Sequence, residues 1–390
     1  MPSGSGVQAI ASGPDGALWF TEYGRGKIGR MTVSGDYSEF SIPAATDLPT
    51  SRPTPWGIAV GPDGNLWFTR FADDSVARIT PSGTVTVFTL PGFAARSGGG
   101  KEPEAITAGP DGNLWFVERD PAAIGRITTS GAITEFPLAA GRTPYDIASG
   151  PDGRLWFTDF SSGSVVRMAT DGSLAGEFPL PTPFSGPRGI TMGADGAMWA
   201  VEGPRGKFAR ITTAGAVTEV DGGAAEMTGI AVGPDNALYA SGPEGGGSDG
   251  INRSDGGPIE RDNAPEGTDD VVLGPDGALW LTEPRVDRLL RAVPGPAPAP
   301  PAPPAGPPAT PPVTPPAPVR CVVPNVLRLS LSSATRRLRR AHCRLGRVTT
   351  ARSARRVRRS RRRVTSQSPR RGAVRSQNAR VRLTLGLRRR

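Results

Sequence analysis

Gly13-Pro14-Asp15-Gly16-Ala17-Leu18-Trp19-Phe20-Thr21-Glu22 is the stretch from which the fold can be read. The unit returns at Gly61, Gly109, Gly150, Gly193 (as GADG), Gly233 (as GPDN) and Gly274. Six residues after each glycine stands an aromatic: Trp19, Trp67, Trp115, Trp156, Trp199, Tyr239 and Trp280. The steps between the glycines are 48, 48, 41, 43, 40 and 41 residues. Asp-Gly accepts the positive φ of a tight hairpin, so each copy reads as strand, turn, strand. A third strand follows, as in Ile28-Gly29-Arg30-Met31-Thr32, then a turn such as Ser34-Gly35, then a fourth strand of the Ile133-Thr134-Glu135-Phe136 kind. A period near 40 residues with turn glycines predicts an all-β fold, a seven-bladed β-propeller of four-stranded blades with the first strand nearest the axis.

The last copy breaks the pattern. After Arg288-Leu289-Leu290-Arg291 the chain turns to Pro294-Gly295-Pro296, so the seventh blade is expected to lack its fourth strand. Propellers close by borrowing a strand so that no edge stays open. MPSGSG offers none, which predicts that the sequence starts late, without an upstream closing strand and its signal peptide. MPSGSGVQAI itself lacks the basic start and apolar core of a secretory signal. No apolar run approaches the roughly 20 residues of a membrane span.

The chain's 52 Gly and 42 Pro favour turns and linkers. Its net charge of +10 hides an opposition. Residues 319–390 hold 24 Arg and no Lys, Asp or Glu, whereas the rest holds 22 basic and 36 acidic residues, a net −14. Three parts follow: a propeller over 1–293, a semi-rigid Pro/Ala linker over 294–318 and an Arg-rich module over 319–390.

The positions just before the first strands are Gln8, Trp56, Glu104, Tyr145, Arg188, Thr228 and Asp269. They vary while the scaffold repeats, and in a propeller they ring one channel mouth, as a small-molecule or peptide site would. Loop variation alone explains the same variety equally well. Glu102, Glu104 and Glu118 form a second constellation, three carboxylates suited to a hard cation. A blander reading is favoured. Glu22, Glu118, Asp159, Glu202 and Glu283 each stand three residues after the blade aromatic, and Arg30, Arg126, Arg167, Arg210 and Arg291 eight residues later. That recurrence predicts a cross-strand ion pair.

The repeats resemble the virginiamycin B lyase family over about residues 7–293. The resemblance rests on Gly57-Ile58-Ala59-Val60-Gly61-Pro62-Asp63-Gly64, Leu18-Trp19-Phe20-Thr21-Glu22, the Ile-Gly-Arg-Ile-Thr strand at 124–128 and Glu135-Phe136-Pro137-Leu138. It implies elimination on a cyclic streptogramin B antibiotic, with Mg²⁺, a His base, a second His and metal-bound carboxylates. A base would remove a carbon-bound proton while the metal stabilises the developing charge. Carried over, the base position is Asp269, the second His is Thr228, and the metal carboxylate is Glu283. Gly267 holds the place of a further Glu, with Glu266 one residue away. The chain's one His is His342, in the basic module.

The module resembles a PASTA domain over about 321–385, on Val323-Pro324-Asn325-Val326, Leu331, Ala334, Leu338, Gly346, Gln367, Pro369 and Gly372, with Arg328 where that family has Gly. This implies a small α+β fold that binds peptidoglycan, and a disulfide between Cys321 and Cys343, which fits an exported setting. Two Cys and His342 fall short of a metal ligand set. The run from Arg352 to Arg363 suits a polyanion, with cell-wall polymers preferred over nucleic acid. The reading is an exported, wall-associated, monomeric binding protein. A Mg²⁺-dependent streptogramin B lyase is its alternative, and a lactonase-like metal hydrolase the third. No cofactor is fixed by the residues; Mg²⁺ enters through the resemblance.

Overall fold

A computed structural model describes residues 1–44, 53–92, 100–222, 226–242, 251–254, 259–261, 267–295, 320–352, 358 and 361–387. The chain divides into two compact units, Met1–Ala299 and Pro300–Arg390. Glu266, most of the Pro/Ala segment and part of the run from Arg352 to Arg363 lie outside the described residues.

The first unit holds seven antiparallel sheets. The first runs Val7–Ser12, Ala17–Glu22, Lys27–Thr32 and Tyr37–Ser41, in that order from inside to outside. Inner strands Val7–Ser12, Pro55–Val60, Pro103–Ala108, Pro144–Ser149, Pro187–Met192, Ile230–Val232 and Val271–Leu273 pack side by side, and the last packs on the first. The ring is therefore closed, as in a β-propeller.

Alternation along Leu-Trp-Phe explains the packing, because successive side chains face opposite sides of a sheet. Trp19 packs with Ile58, Leu66 and Phe68 of the second sheet. Trp67 packs with Ile106, Leu114 and Phe116 of the third, and Trp115 with Ile147, Leu155 and Phe157 of the fourth. Leu and Phe face backwards: Leu18 and Phe20 meet Ala278 and Trp280 of the seventh sheet, which completes the apolar ring. Each buried Trp removes about 200 Å² from water, worth roughly 5 kcal/mol. The Phe of the fourth strand stacks on the same ring, 5.3 Å away for Trp19–Phe40 and 5.4 Å for Trp115–Phe136.

The expected Glu–Arg cross-strand pair does not form. Trp19 stands opposite Arg30, and Glu22 opposite Lys27. Glu22 and Arg30 thus lie three rungs apart and on opposite faces. The turn aspartate takes the arginine instead: Asp15 Oδ1 accepts the Trp19 indole N–H at 2.9 Å, and its Oδ2 accepts Arg30 Nε at 2.7 Å. Arg210–Asp195 and Arg291–Asp276 repeat the pair, and Arg253 pairs with Asp235 at 2.8 Å. Arg30, Arg210 and Arg253 lie over their aromatics, with Arg30 at 5.8 Å from the Trp19 centroid. Arg78, Arg126 and Arg167 also donate to a carbonyl in a turn of the following sheet, Thr129, Thr170 and Thr213.

The seventh blade is not left short. Its outer position is taken by Ile259–Arg261, which pairs with Arg288–Pro294 (Ile259 opposite Pro294, Arg261 opposite Ala292). The sixth sheet has three strands, Ile230–Val232, Leu238–Ser241 and Ile251–Arg253. The chain beyond Pro294 is Pro-rich and lacks the N–H groups for an outer strand, so the segment before the seventh sheet fills the place. The N-terminal residues clasp this sheet without forming a strand: Gly4 N and Gly6 N each donate to Asp287 at 2.6 Å.

The second unit is a small α+β fold. Helix Leu331–Arg340, capped by Ser330, packs Ala334 and Leu338 into a core with Val364, Val381 and Leu383. Arg380–Gly386 pairs parallel to Arg344–Thr350 and antiparallel to Arg363–Ser368. Cys321 and Cys343 form the expected disulfide inside that core.

Candidate functional site

The channel mouth is built by a repeated irregularity. In the first five sheets the register slips near the start of the inner strand, as between Val7 and Ile10, Pro55 and Ile58, and Pro144 and Ile147. Such a bulge re-aims side chains. Gln8, Trp56, Glu104 and Tyr145 thereby turn to the axis, joined by Thr228 and Asp269, and line a cavity of about 460 Å³.

In five of the seven sheets a hydroxyl on the second strand bonds the start of the inner strand and joins the sheet to the next. Thr21 Oγ1 accepts Ala9 N at 3.0 Å and donates to Trp56 O at 2.8 Å. Thr69 links Gly57 N to Glu104 O, Thr158 links Asp146 N to Arg188 O, and Ser241 links Gly229 N to Asp269 O. Thr282 closes the circle, accepting Asp270 N and donating to Gln8 O, both at 3.0 Å. The third and fifth sheets carry Val117 and Val201 here. At the fifth, Gly189 N bonds Thr228 O directly at 2.8 Å.

Of the ring expected from sequence, Arg188 alone does not line the cavity. Its guanidinium pairs with Glu226 at 2.8 Å and lies 5.9 Å from the Phe160 ring. Trp56 stands between Tyr23 (centroids 5.4 Å, edge-on) and Phe71 (5.2 Å), and Tyr145 neighbours Phe160 at 6.4 Å. Two aromatic walls therefore flank the cavity.

Its floor is acidic. Asp269 Oδ2 accepts Gln8 Nε2 at 2.9 Å, and burial raises its pKa against the pull of that bond and of Arg285 and Arg188. Glu104 is 3% exposed and pairs with Arg119 at 2.9 Å; burial raises its pKa too. Two further carboxylates, which the sequence analysis does not single out, line the same cavity. Asp146 accepts N–H bonds from Ile147 and from Ile190 of the next sheet, both at 2.8 Å. Asp270 does the same with Val271 at 2.8 Å and Ile10 at 3.0 Å. Burial pushes Asp146 up to about 7 and Asp270 to about 6, despite those backbone donors. A signal was present: the matching residues elsewhere are Ala9, Gly57, Ala105, Gly189 and Gly229, all small. A Cβ on Gly57 would come within 2.4 Å of Glu104 O.

The carboxylates considered for a metal do not converge. Glu104 reaches the cavity, but Glu102, Glu118 and Glu283 do not line it. Glu118 is buried near Lys101 (3.9 Å) and is pushed up to about 8 by burial and by Glu135. Glu283 is buried and ion-paired to Arg288. Among the described residues no three His, Cys, Asp or Glu side chains come together as a metal site. The cavity thus sets Trp56 and Tyr145 beside carboxylates whose pKa values burial raises.

The family model described as the virginiamycin B lyase family matches residues 1–241. A catalytically inactive His-to-Ala variant of virginiamycin B lyase from Staphylococcus aureus, solved with quinupristin, is 30% identical. The match covers 75% of this chain and 97% of that one, with a TM-score of 0.64. A streptogramin B lyase structure is 29% identical over 75% of this chain and 95% of its own, at a TM-score of 0.63. Hydrazine synthase of Kuenenia stuttgartiensis, 16% identical over 76% of this chain and 97% of its own with a TM-score of 0.58, shares the fold alone. No curated protein matches the chain.

Proposed function

The chain belongs to the virginiamycin B lyase family, and from that premise we propose that its propeller is a ligand-binding member, exported and associated with the cell wall. One observation carries this. Where the family resemblance puts two histidines, the cavity wall carries Asp269 and Thr228, and the chain's one His, His342, lies in the other unit. The Staphylococcus aureus variant that lacks a histidine is catalytically inactive. The disulfide supports an oxidising compartment. The second unit has the β-strand, helix and three-stranded sheet that a PASTA-like, peptidoglycan-binding module calls for.

The ligand is a small molecule or peptide with ring-bearing groups, seated between Trp56 and Tyr145. Among the described residues the cavity's carboxylates do not gather three together as a metal site. A lyase reading keeps one specific support: burial raises Asp269 toward the range in which a carboxylate can act as a base. Titration of the full chain with quinupristin, with and without Mg²⁺, separates the two. Saturable quenching of tryptophan fluorescence, lost in Trp56→Phe, with antibiotic recovered intact is the binding result. A product of unchanged mass, abolished in Asp269→Asn, overturns it in favour of elimination. A product heavier by one water indicates the lactonase-like chemistry. Absence of both quenching and product removes this antibiotic as the ligand.

A further inference from the structure

We propose that the Pro300–Arg390 unit binds a linear, base-free phosphodiester polymer of the polyol-phosphate kind along an arginine-lined track beside its helix. This rests on the wall-associated reading above and names the polymer the module would meet there.

Charge is the first reason. Residues 319–390 carry 24 Arg against no Asp or Glu, so no acidic side chain within the module neutralises its surface. Placement is the second. Ala334 and Leu338 face the core of the unit, which leaves Arg336, Arg337, Arg339 and Arg340 exposed on the other side of helix Leu331–Arg340. Arg336, Arg337 and Arg340 line a concavity of about 600 Å³ with Ser333 and Pro324. Arg370 and Arg371 line another, of about 300 Å³, with Thr365, Ser366 and Asn325. Pro324 of the first and Asn325 of the second are consecutive, so one short stretch of chain borders both concavities. Gln367 holds that stretch, accepting Val326 N at 2.8 Å and donating to Pro324 O at 2.9 Å. Five guanidinium groups thus follow one path, with hydroxyls beside them.

Ligand chemistry follows from the side chains. A guanidinium fork matches two phosphate oxygens, and three hydroxyls can serve the rest. The module has no Phe, Tyr or Trp. It therefore lacks the aromatic platforms on which single-stranded nucleic-acid binders stack bases. Phosphates are held and nothing between them is read.

The full chain is tested against labelled poly(glycerol phosphate) across a salt series. Five phosphate contacts give a slope of about −3.5 in log K against log salt, roughly a hundredfold loss between about 50 and 200 mM. Changing Arg336, Arg337, Arg340, Arg370 and Arg371 to Gln is expected to weaken binding at least about thirtyfold and flatten that slope. Changing Arg344, Arg347, Arg361, Arg380 and Arg382 to Gln removes equal charge elsewhere and is expected to cost less than about fivefold. All ten positions are solvent-exposed, and peptide mapping of the intact disulfide verifies the fold of both variants. Equal losses in the two variants overturn the track. An oligonucleotide held more than about tenfold tighter than its abasic counterpart overturns the base-free assignment. Equal retention on peptidoglycan with and without its phosphate polymers overturns the polymer but leaves the wall reading standing. Tight binding to the free polymer without retention on intact walls leaves the track and removes the wall reading.

Discussion

Thr282→Val tests how the ring is closed. Thr282 is fully buried, and its hydroxyl accepts Asp270 N and donates to Gln8 O across the joint between the seventh and first sheets. Valine keeps the volume, so no cavity contributes and the loss is polar. Two backbone groups lose their partner, at about 1–3 kcal/mol for each one left unpaired. Gln8 stands on the cavity wall, where water can take over one bond, so a net cost of about 2 kcal/mol is expected. Thr158→Val at the joint between the fourth and fifth sheets removes the same pair of bonds, to Asp146 N and Arg188 O, and serves as the internal comparison. The chain itself carries Val201 at this position, where Gly189 N and Thr228 O bond directly. Urea unfolding followed by tryptophan fluorescence is the assay. Every Phe, Tyr and Trp of the chain lies within residues 1–299, so the signal reports that unit alone. If Thr282→Val stays within about 0.5 kcal/mol of the parent while Thr158→Val loses about 2, the hydroxyl is not the clasp. Apolar contact of Ala278 and Trp280 with Leu18 and Phe20 would then be what closes the ring.

Glu202 is fully buried, and burial together with Glu219 pushes its pKa up to about 8. A raised folded value contributes stability that is full below the ordinary carboxyl range and is lost as pH rises through the folded value. Urea titrations should therefore show the parent losing about 2 kcal/mol between about pH 6 and 8 from this group. Glu202→Gln should shrink the pH dependence by that amount, and an unchanged dependence would mean that Glu202 is already ionised at the lower pH. Gly131 has φ +98° and a Cβ there would sit 2.3 Å from the Phe88 ring, whereas Gly35 has φ +96° with open space around it. Gly131→Ala should cost about 2 kcal/mol more than Gly35→Ala in the same assay, and equal costs would show that the inter-sheet contact yields freely. Replacing Cys321 and Cys343, which are 22 residues apart, by Ser should destabilise the second unit by about 3 kcal/mol. Limited trypsin digestion should then cut at Arg336 and Arg337 faster while the tryptophan signal of the first unit stays unchanged.

The scaffold was legible because its signals are local and repeated. Asp-Gly turns and the Leu-Trp-Phe alternation each fix a hairpin with a buried face, and seven copies leave the ring as the way to bury both faces of every sheet. What failed was reasoning from spacing without register. Glu22 and Arg30 recur together because each answers a different partner, and only the pairing of Trp19 with Arg30 shows that they lie on opposite faces. The outer strand of the seventh sheet was missed for a related reason: Ile259–Arg261 is three residues long and carries no turn signature tying it to the sheet it joins. At the mouth, the positions from Gln8 to Asp269 were found by their variety, and all but Arg188 reach the cavity. Asp146 and Asp270 each follow a residue already assigned to the ring, and strand alternation would turn such a neighbour away, yet both line the cavity.

The same geometry only partly separates what joins the sheets from what lines the cavity. The sheets are joined by hydroxyls and carboxylates acting on backbone groups, as Thr21 does at Ala9 N and Trp56 O. Within the ring, Gln8 bonds Asp269 Oδ2 at 2.9 Å and Thr228 Oγ1 donates to Asp269 O at 2.7 Å, so these side chains take part in the joints beside the seventh sheet, whereas Trp56 and Tyr145 make aromatic contacts. Asp146 and Asp270 carry two duties, because each holds Ile190 N or Ile10 N of the neighbouring sheet while facing the cavity. Asp270→Asn separates the two duties. It removes the charge but keeps an oxygen for Ile10 N, and it places an amide against Val271 N, where a donor is unwelcome. Stability of the first unit at about pH 5, where Asp270 is largely protonated in the parent, should fall by about 1 kcal/mol or less. Any dependence of ligand affinity on pH between about 5 and 7 that comes from Asp270 should vanish in the variant. Affinity that keeps its full pH dependence would assign the titration to the other cavity carboxylates, Asp146, Asp269 and Glu104, which burial also raises.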